Sequence, residues 1–222
     1  MKNKMKNISI TLAFLFITLF ANAQENPTGN NENSGTLFGN NKEVKLGWFV
    51  GLDNGYTQFD KRDVHMSGIN AGLIINHNFT VGFSASGWTN RKTMYYDNIT
   101  DTTGAYLEGG FGRFLFEYTL NPQSLIHLTF PLMIGAGGAS FVADNEYNNW
   151  ENDNWNNHQN EIDTDVFFSI EPGIRAELNV FRFMRLNAGI SYRYVGGLEL
   201  KNTSSDMMNN FSATVGLKFG KF

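Results

Sequence analysis

The stretch Val166-Phe167-Phe168-Ser169-Ile170-Glu171-Pro172-Gly173-Ile174-Arg175-Ala176-Glu177-Leu178-Asn179-Val180 carries the decision about the fold. Its even positions are Val, Phe, Ile, Pro, Ile, Ala, Leu and Val. Its odd positions hold Glu171, Arg175 and Glu177 together with Phe167, Ser169, Gly173 and Asn179. A period of two belongs to a β-strand with unlike faces, one wholly apolar and one charged near its middle.

The same pattern recurs on both sides. Met184 to Tyr194 sets Leu186, Ala188, Ile190, Tyr192 and Tyr194 against Arg185, Asn187, Gly189, Ser191 and Arg193. Toward the C-terminus, Phe211, Ala213, Val215, Leu217 and Phe219 oppose Ser212, Thr214, Gly216, Lys218 and Gly220. Four earlier segments repeat the scheme, at Val44 to Leu52, Ser67 to Ile75, Phe79 to Ser86 and Ile126 to Gly135. In a fifth, Tyr106 to Tyr118, the parity breaks near Gly112-Arg113, where a bulge is expected. That predicts eight strands, an even number, each able to supply the roughly 9–11 residues of a tilted membrane strand.

Connection lengths predict the topology. Asn76-His77-Asn78, Asn121-Pro122-Gln123 and Phe181-Arg182-Phe183 read as tight turns. Asp53 to Asp63, Thr89 to Thr103, Asp144 to Asp163 and Gly196 to Asn209 read as long links. Short and long alternate, as in an up-and-down barrel with periplasmic turns and extracellular loops.

Composition agrees with such an inside-out chain. Of 222 residues 41% are hydrophobic and only 17% charged, with 20 Phe, 23 Gly and no Cys. A soluble domain carries about 25% charge. The absence of Cys excludes disulfides, thiolate metal sites and a cysteine nucleophile. A soluble lipocalin-like ligand-binding barrel would share the alternation with its faces exchanged. Aromatic residues near the ends of the apolar faces, and glycine on the polar ones, favour the membrane arrangement.

Residues 1–23 are expected to be a signal peptide: Lys2, Lys4 and Lys6, an apolar run from Ile8 to Phe20, then Ala21-Asn22-Ala23. Cleavage after Ala23 would remove three Lys and no acid, moving the net charge from −4 to about −7. No basic stripe remains for nucleic acid. Residues 24–43, rich in Asn, Gly, Ser and Glu, are expected to be a flexible periplasmic segment, and 44–222 the barrel.

Several stretches resemble a family of small outer-membrane β-barrel proteins common in the Bacteroidetes lineage, of OmpA/OmpX-like size and without an assigned activity. They are Gly72 to Phe79 (GLIINHNF), His127 to Gly138 (HLTFPLMIGAGG), Ile170-Glu171-Pro172-Gly173, and Ser191 to Val195 (SYRYV). The resemblance spans about Val44 to Phe222. It implies outer-membrane lipid and the barrel assembly machinery, reading the C-terminal strand, as partners. Phe222 is out of phase with Phe219 and Leu217, so either Phe219 or Phe222 could carry that signal.

Two groups of residues are candidates for function. Lys45, Glu108, Glu171, Arg175, Glu177, Arg185, Arg193 and Lys218 fall on polar faces and are expected to form a paired charge network in the lumen, since an unpaired buried charge is costly. The link from Asp144 to Asp163 holds six acids and two Trp in Asn-Trp repeats. Its Trp150, Asp153, Trp155 and His158 are candidates for binding an extracellular glycan or protein. No His pair has metal-ligand spacing, and no cofactor motif is present. The expected function is non-enzymatic, structural or surface-binding. The alternative is a lipid or peptide hydrolase at the outer rim, built from Asp63, His65, Asp153 and His158.

Overall fold

The computed structural model describes residues 44–89, 94–97, 99, 104–143 and 161–222. The expected signal peptide, the 24–43 segment and the loop candidates Trp150, Asp153, Trp155 and His158 lie outside them. Nine strands follow in chain order: β1 (Leu46–Phe59), β2 (Arg62–Ile75), β3 (Phe79–Trp88), β4 (Tyr95–Tyr96), β5 (Ala105–Leu120), β6 (Ile126–Ala143), β7 (Glu161–Phe181), β8 (Met184–Gly196) and β9 (Asn210–Lys221). All pairings are antiparallel. β1–β9 and β3–β5 contacts close eight of the strands into a ring, and β4 is a two-residue ladder on the end of β5. Closure leaves those eight without a free edge.

The register defines the barrel's proportions. Starting at Leu46 and following the register, the path passes Ile75, Phe79, Tyr118, Phe130, Ile174, Ile190 and Ala213 and returns to β1 at Tyr56. Phe130 and Ile174 are placed opposite each other by the flanking pairs Thr129↔Arg175 and Leu132↔Pro172. The stagger from residue 46 to residue 56 is ten residues. Eight strands with that stagger tilt by roughly 35–45° and enclose a lumen only wide enough for side chains.

Parity holds on every long strand. Val166, Leu46 and Ile69 are 69%, 61% and 59% exposed on the exterior, while Lys218 and Glu177, 2% and 1% exposed, lie inside. The soluble arrangement, with the apolar face inward, is therefore not the one adopted. Exterior aromatics lie toward both strand ends, with Phe83 and Phe114 paired at mid-belt (ring centroids 4.8 Å apart). Trp48, Phe79, Tyr118, Phe183 and Phe219 lie near the short turns, and Tyr56, Tyr192, Tyr194 and Phe211 toward the other end. From Leu46 to Tyr56 this apolar belt spans roughly 25 Å of the axis.

Two sequence expectations are corrected. Asp53 to Asp63 is not a long link: β1 and β2 continue to Phe59 and Arg62, joined by Asp60-Lys61 with φ of 47° and 61°. Positive φ at both central residues is the hairpin turn whose twist matches the strands. In β5 no register shift occurs near Gly112-Arg113. The odd residues Leu107, Phe111, Arg113, Leu115 and Glu117 all point inward. The parity looked broken because apolar and charged residues share this inward face.

Candidate functional site: the barrel interior

The interior divides along its axis. At the loop end an apolar cluster joins Phe59, Val64, Met66, Trp88, Leu107, Phe111, Phe141, Phe167 and Val195 from the strands. Met94, Tyr96 and Ile99 from one connection, and Leu198, Leu200, Met207 and Met208 from another, fold over it. Ring contacts run Phe59–Trp88, Trp88–Phe111 and Phe111–Phe167, with centroids 5.1, 5.4 and 5.4 Å apart. Gly137 makes room for them, because a methyl there would fall 2.5 Å from the Phe167 ring. The 197–209 connection is tied down by carboxylates at the start of β7: Glu199 N donates to Asp165 Oδ2 (2.5 Å) and Lys201 N to Asp163 Oδ2 (2.7 Å). In the other connection, burial pushes the Tyr96 phenol up to about 12.

Below this cap the lumen is ionic. Glu171 accepts from Arg113 Nη1 (2.5 Å), Arg193 Nε (2.9 Å) and Ser191 Oγ (2.5 Å). Arg175 Nη1 lies 3.2 Å from Asp53 Oδ2, which Asn70 Nδ2 also reaches at 2.7 Å. Nearer the turns, Lys218 Nζ bridges Glu117 Oε1 (2.6 Å) and Glu177 Oε1 (2.5 Å). Arg185 Nη1 and His127 Nε2 approach the other Glu177 oxygen at 3.4 and 3.2 Å. A small apolar cluster of Phe49, Ile74, Leu115 and Met133 sits among these charges. Lys218 Nζ stands 4.8 Å over the Phe49 ring and Arg185 stacks 3.9 Å from that of Phe222. A methyl at Gly216 would collide with Asp53 Oδ1, so glycine there lets the carboxylate lie flat against β9.

Six of the eight charges expected in the lumen are inside: Glu171, Arg175, Glu177, Arg185, Arg193 and Lys218. Two are not. Lys45 precedes β1 and is exposed, its backbone N–H donating to Asn76 Oδ1 (3.1 Å) at the turn end. Glu108 lies on the even, outward face of β5 opposite Ser140 and is half-buried. Four interior partners escaped the sequence reading. Asp53 had been assigned to a loop, and Arg113 and Glu117 lay in the strand whose parity looked broken. His127 was on a polar face but was weighed only as a metal ligand. Continuing β5's odd positions through Gly112-Arg113 would have found the middle two.

Of the alternative rim residues, Asp63 and His65 are exposed at the loop end of β2. Tyr56 OH and Gln58 Nε2 donate to Asp63 Oδ1 at 2.5 and 2.9 Å, and the His65 ring packs 5.6 Å from that of Tyr56. That phenol–carboxylate hydrogen bond holds the Asp63 carboxyl below its usual range. Among the described residues no group of three or more His, Cys, Asp or Glu could hold a metal ion.

The fold has known counterparts. Neisserial surface protein A (NspA) superposes with a TM-score of 0.53 at 14% identity, over 82% of this chain and all of that one. The N-terminal β-barrel domain of Pseudomonas aeruginosa OprF gives 0.46 at 11% identity, over 78% and 96%. Yersinia pestis Ail, the attachment invasion locus protein, in complex with the heparin analogue sucrose octasulfate, gives 0.47 at 11%, over 81% and 99%. No protein-family model and no curated protein sequence matches the chain. The likeness to NspA is one of fold, an antiparallel barrel closed by eight strands.

Proposed function

We propose that the chain is an outer-membrane β-barrel with a closed interior, acting without catalysis as a structural or surface-binding protein through its loop end. One observation carries this reading: every long strand turns a predominantly apolar face outward, while the ion pairs are inside. Moving Arg175, Arg185 or Arg193 to the exterior would cost roughly 2–4 kcal/mol each at the bilayer midplane. The aromatic girdles and the belt height fit a bilayer. The apolar cap and the ion-pair layer fill the lumen and leave no reason for conductance.

The binding role is assigned to the link between β6 and β7, with Trp150, Asp153, Trp155 and His158 as contacts. Its four acids, Asp144, Glu146, Glu151 and Asp153, suit a neutral glycan or a basic protein surface rather than a polyanion. Export by a signal peptide cleaved after Ala23 belongs to the same reading, and N-terminal sequencing of the membrane-extracted protein should begin at Gln24.

The architecture is tested by extraction and gel migration. The protein should require detergent for release and migrate differently before and after boiling; release without detergent would overturn the membrane reading. Planar-bilayer recordings should show no stable conductance. Deleting residues 145–160 should preserve the heat-modifiable fold while abolishing capture of glycans or proteins by intact cells. Unchanged capture would remove the loop assignment.

A further inference from the structure

The ion pairs do not balance at the middle of the lumen. Near the turns, Lys218 and Arg185 face Glu117 and Glu177, two against two. Higher up, Arg113, Arg175 and Arg193 face only Glu171 and Asp53. Among the described residues the upper group is one negative charge short. Phe111 stacks against both Arg113 and Arg193 (4.8 Å each) and Phe59 against Arg193 (5.4 Å), and these ring faces favour the cations without supplying a counter-charge. A buried guanidinium in such a place needs a counter-charge.

The geometry also supplies a space. All five charged groups line one cavity of about 40 Å³, enough for a halide-sized ion or a water. Arg193, 2% exposed, spends Nε on Glu171 and Nη2 on Ser212 Oγ (3.0 Å) and Met66 Sδ (3.4 Å), and its Nη1 has no protein partner. Arg113 Nε is likewise buried without one.

We propose that this cavity is a binding site for a small monovalent inorganic anion such as chloride, held by Arg193 and its neighbouring guanidiniums. The ion completes the charge balance between the apolar cap and the lower ion pairs. It is a structural ligand of the barrel, and the inference stands apart from any role of the loops.

The probe is bromide, an anomalous scatterer. Crystals of the detergent-purified barrel grown in sodium bromide should show an anomalous peak in the cavity, within hydrogen-bond reach of Arg193 Nη1. In solution the apparent Tm should be about 2–4 °C higher in sodium chloride than in sodium gluconate of equal ionic strength. Removing Arg193 risks the fold, so the decisive variant is Ser86→Asp. Ser86 Oγ already accepts from Arg113 Nη2 (3.1 Å), and a carboxylate there supplies the missing charge. Ser86→Asp should fold, lose the bromide peak and lose the chloride dependence. No bromide in the wild-type cavity, equal Tm in the two salts, or undiminished bromide in Ser86→Asp would each overturn the proposal.

Discussion

The two ends of the barrel interior are filled by opposite chemistry. Toward the loops, Phe59, Trp88, Leu107, Phe111, Phe141 and Phe167 pack as an ordinary protein core. Toward the turns, guanidinium, ammonium and carboxylate groups interlock. The same strands build both, and β5 runs from Leu107 and Phe111 to Arg113 and Glu117 on one face. An apolar cluster tolerates most apolar side chains of similar volume, whereas an ion-pair layer holds only while each charge keeps its partner. The cap can therefore be repacked gradually, while the ionic layer fails abruptly.

The largest effect should come from Glu171→Gln, which keeps volume but strips Arg113 and Arg193 of their shared anion. Folding stability in lipid or detergent, read by urea titration of the heat-modifiable form, should fall by about 3–5 kcal/mol. A loss no greater than that of a volume-conserving change in the cap would erase the contrast. Lys218→Met should be nearly as damaging alone, leaving Glu117 without its partner. Combined with Glu117→Leu, it should recover most of the loss, since a buried pair replaced as a unit is often neutral. In the cap, Leu107→Ala should cost about 2–5 kcal/mol, but Leu107→Met under about 1.5 kcal/mol.

Smaller effects refine the boundary. Tyr96 is buried in the cap with its phenol raised from 10.0 to about 12. A raised folded value favours the protonated form, so this contribution is complete below about pH 10 and lost as pH climbs toward 12. Trp88 fluorescence should report loosening of the cap in that window, and Tyr96→Phe should abolish the step. Smallest of all, Lys61→Gly relieves a left-handed lysine in the β1–β2 hairpin, outside both regions, and should add roughly 1 kcal/mol. A comparable gain from glycine at a cap or ion-pair position would contradict the division.

How much was legible depended on whether a strand's two faces differed in polarity. β7, β8 and β9 have one uniform apolar face, so alternation put Arg175, Glu177, Arg185, Arg193 and Lys218 together on the opposite face, and the aromatics and glycines then assigned that face inward. β5 hides its parity because its inward face crosses from cap to ion layer. Arg113 and Glu117 therefore went unread, and Glu108 on the opposite face was mistaken for one of them. Asp53 was invisible for another reason: the polar run Asp53-Asn54-Gly55 looks like a loop, and only the pairing Asp53↔Gly68 and Asp53↔Gly216 makes it strand. Lys45 had the correct parity but lies one residue before the ladder starts.

By itself the sequence determined the eight strands of the ring (though not the short β4), the inside-out polarity and which residues of most strands face inward. Period-two alternation is a local property, readable within a dozen residues. Which inward charges meet was decided by the tertiary structure. Arg113–Glu171 and Lys218–Glu117 join residues 58 and 101 positions apart. Their meeting depends on the ten-residue stagger of the closed ring, which no single strand encodes. The surplus of cation around Arg193 arises the same way, because it is a property of who sits beside whom across a lumen one side chain wide.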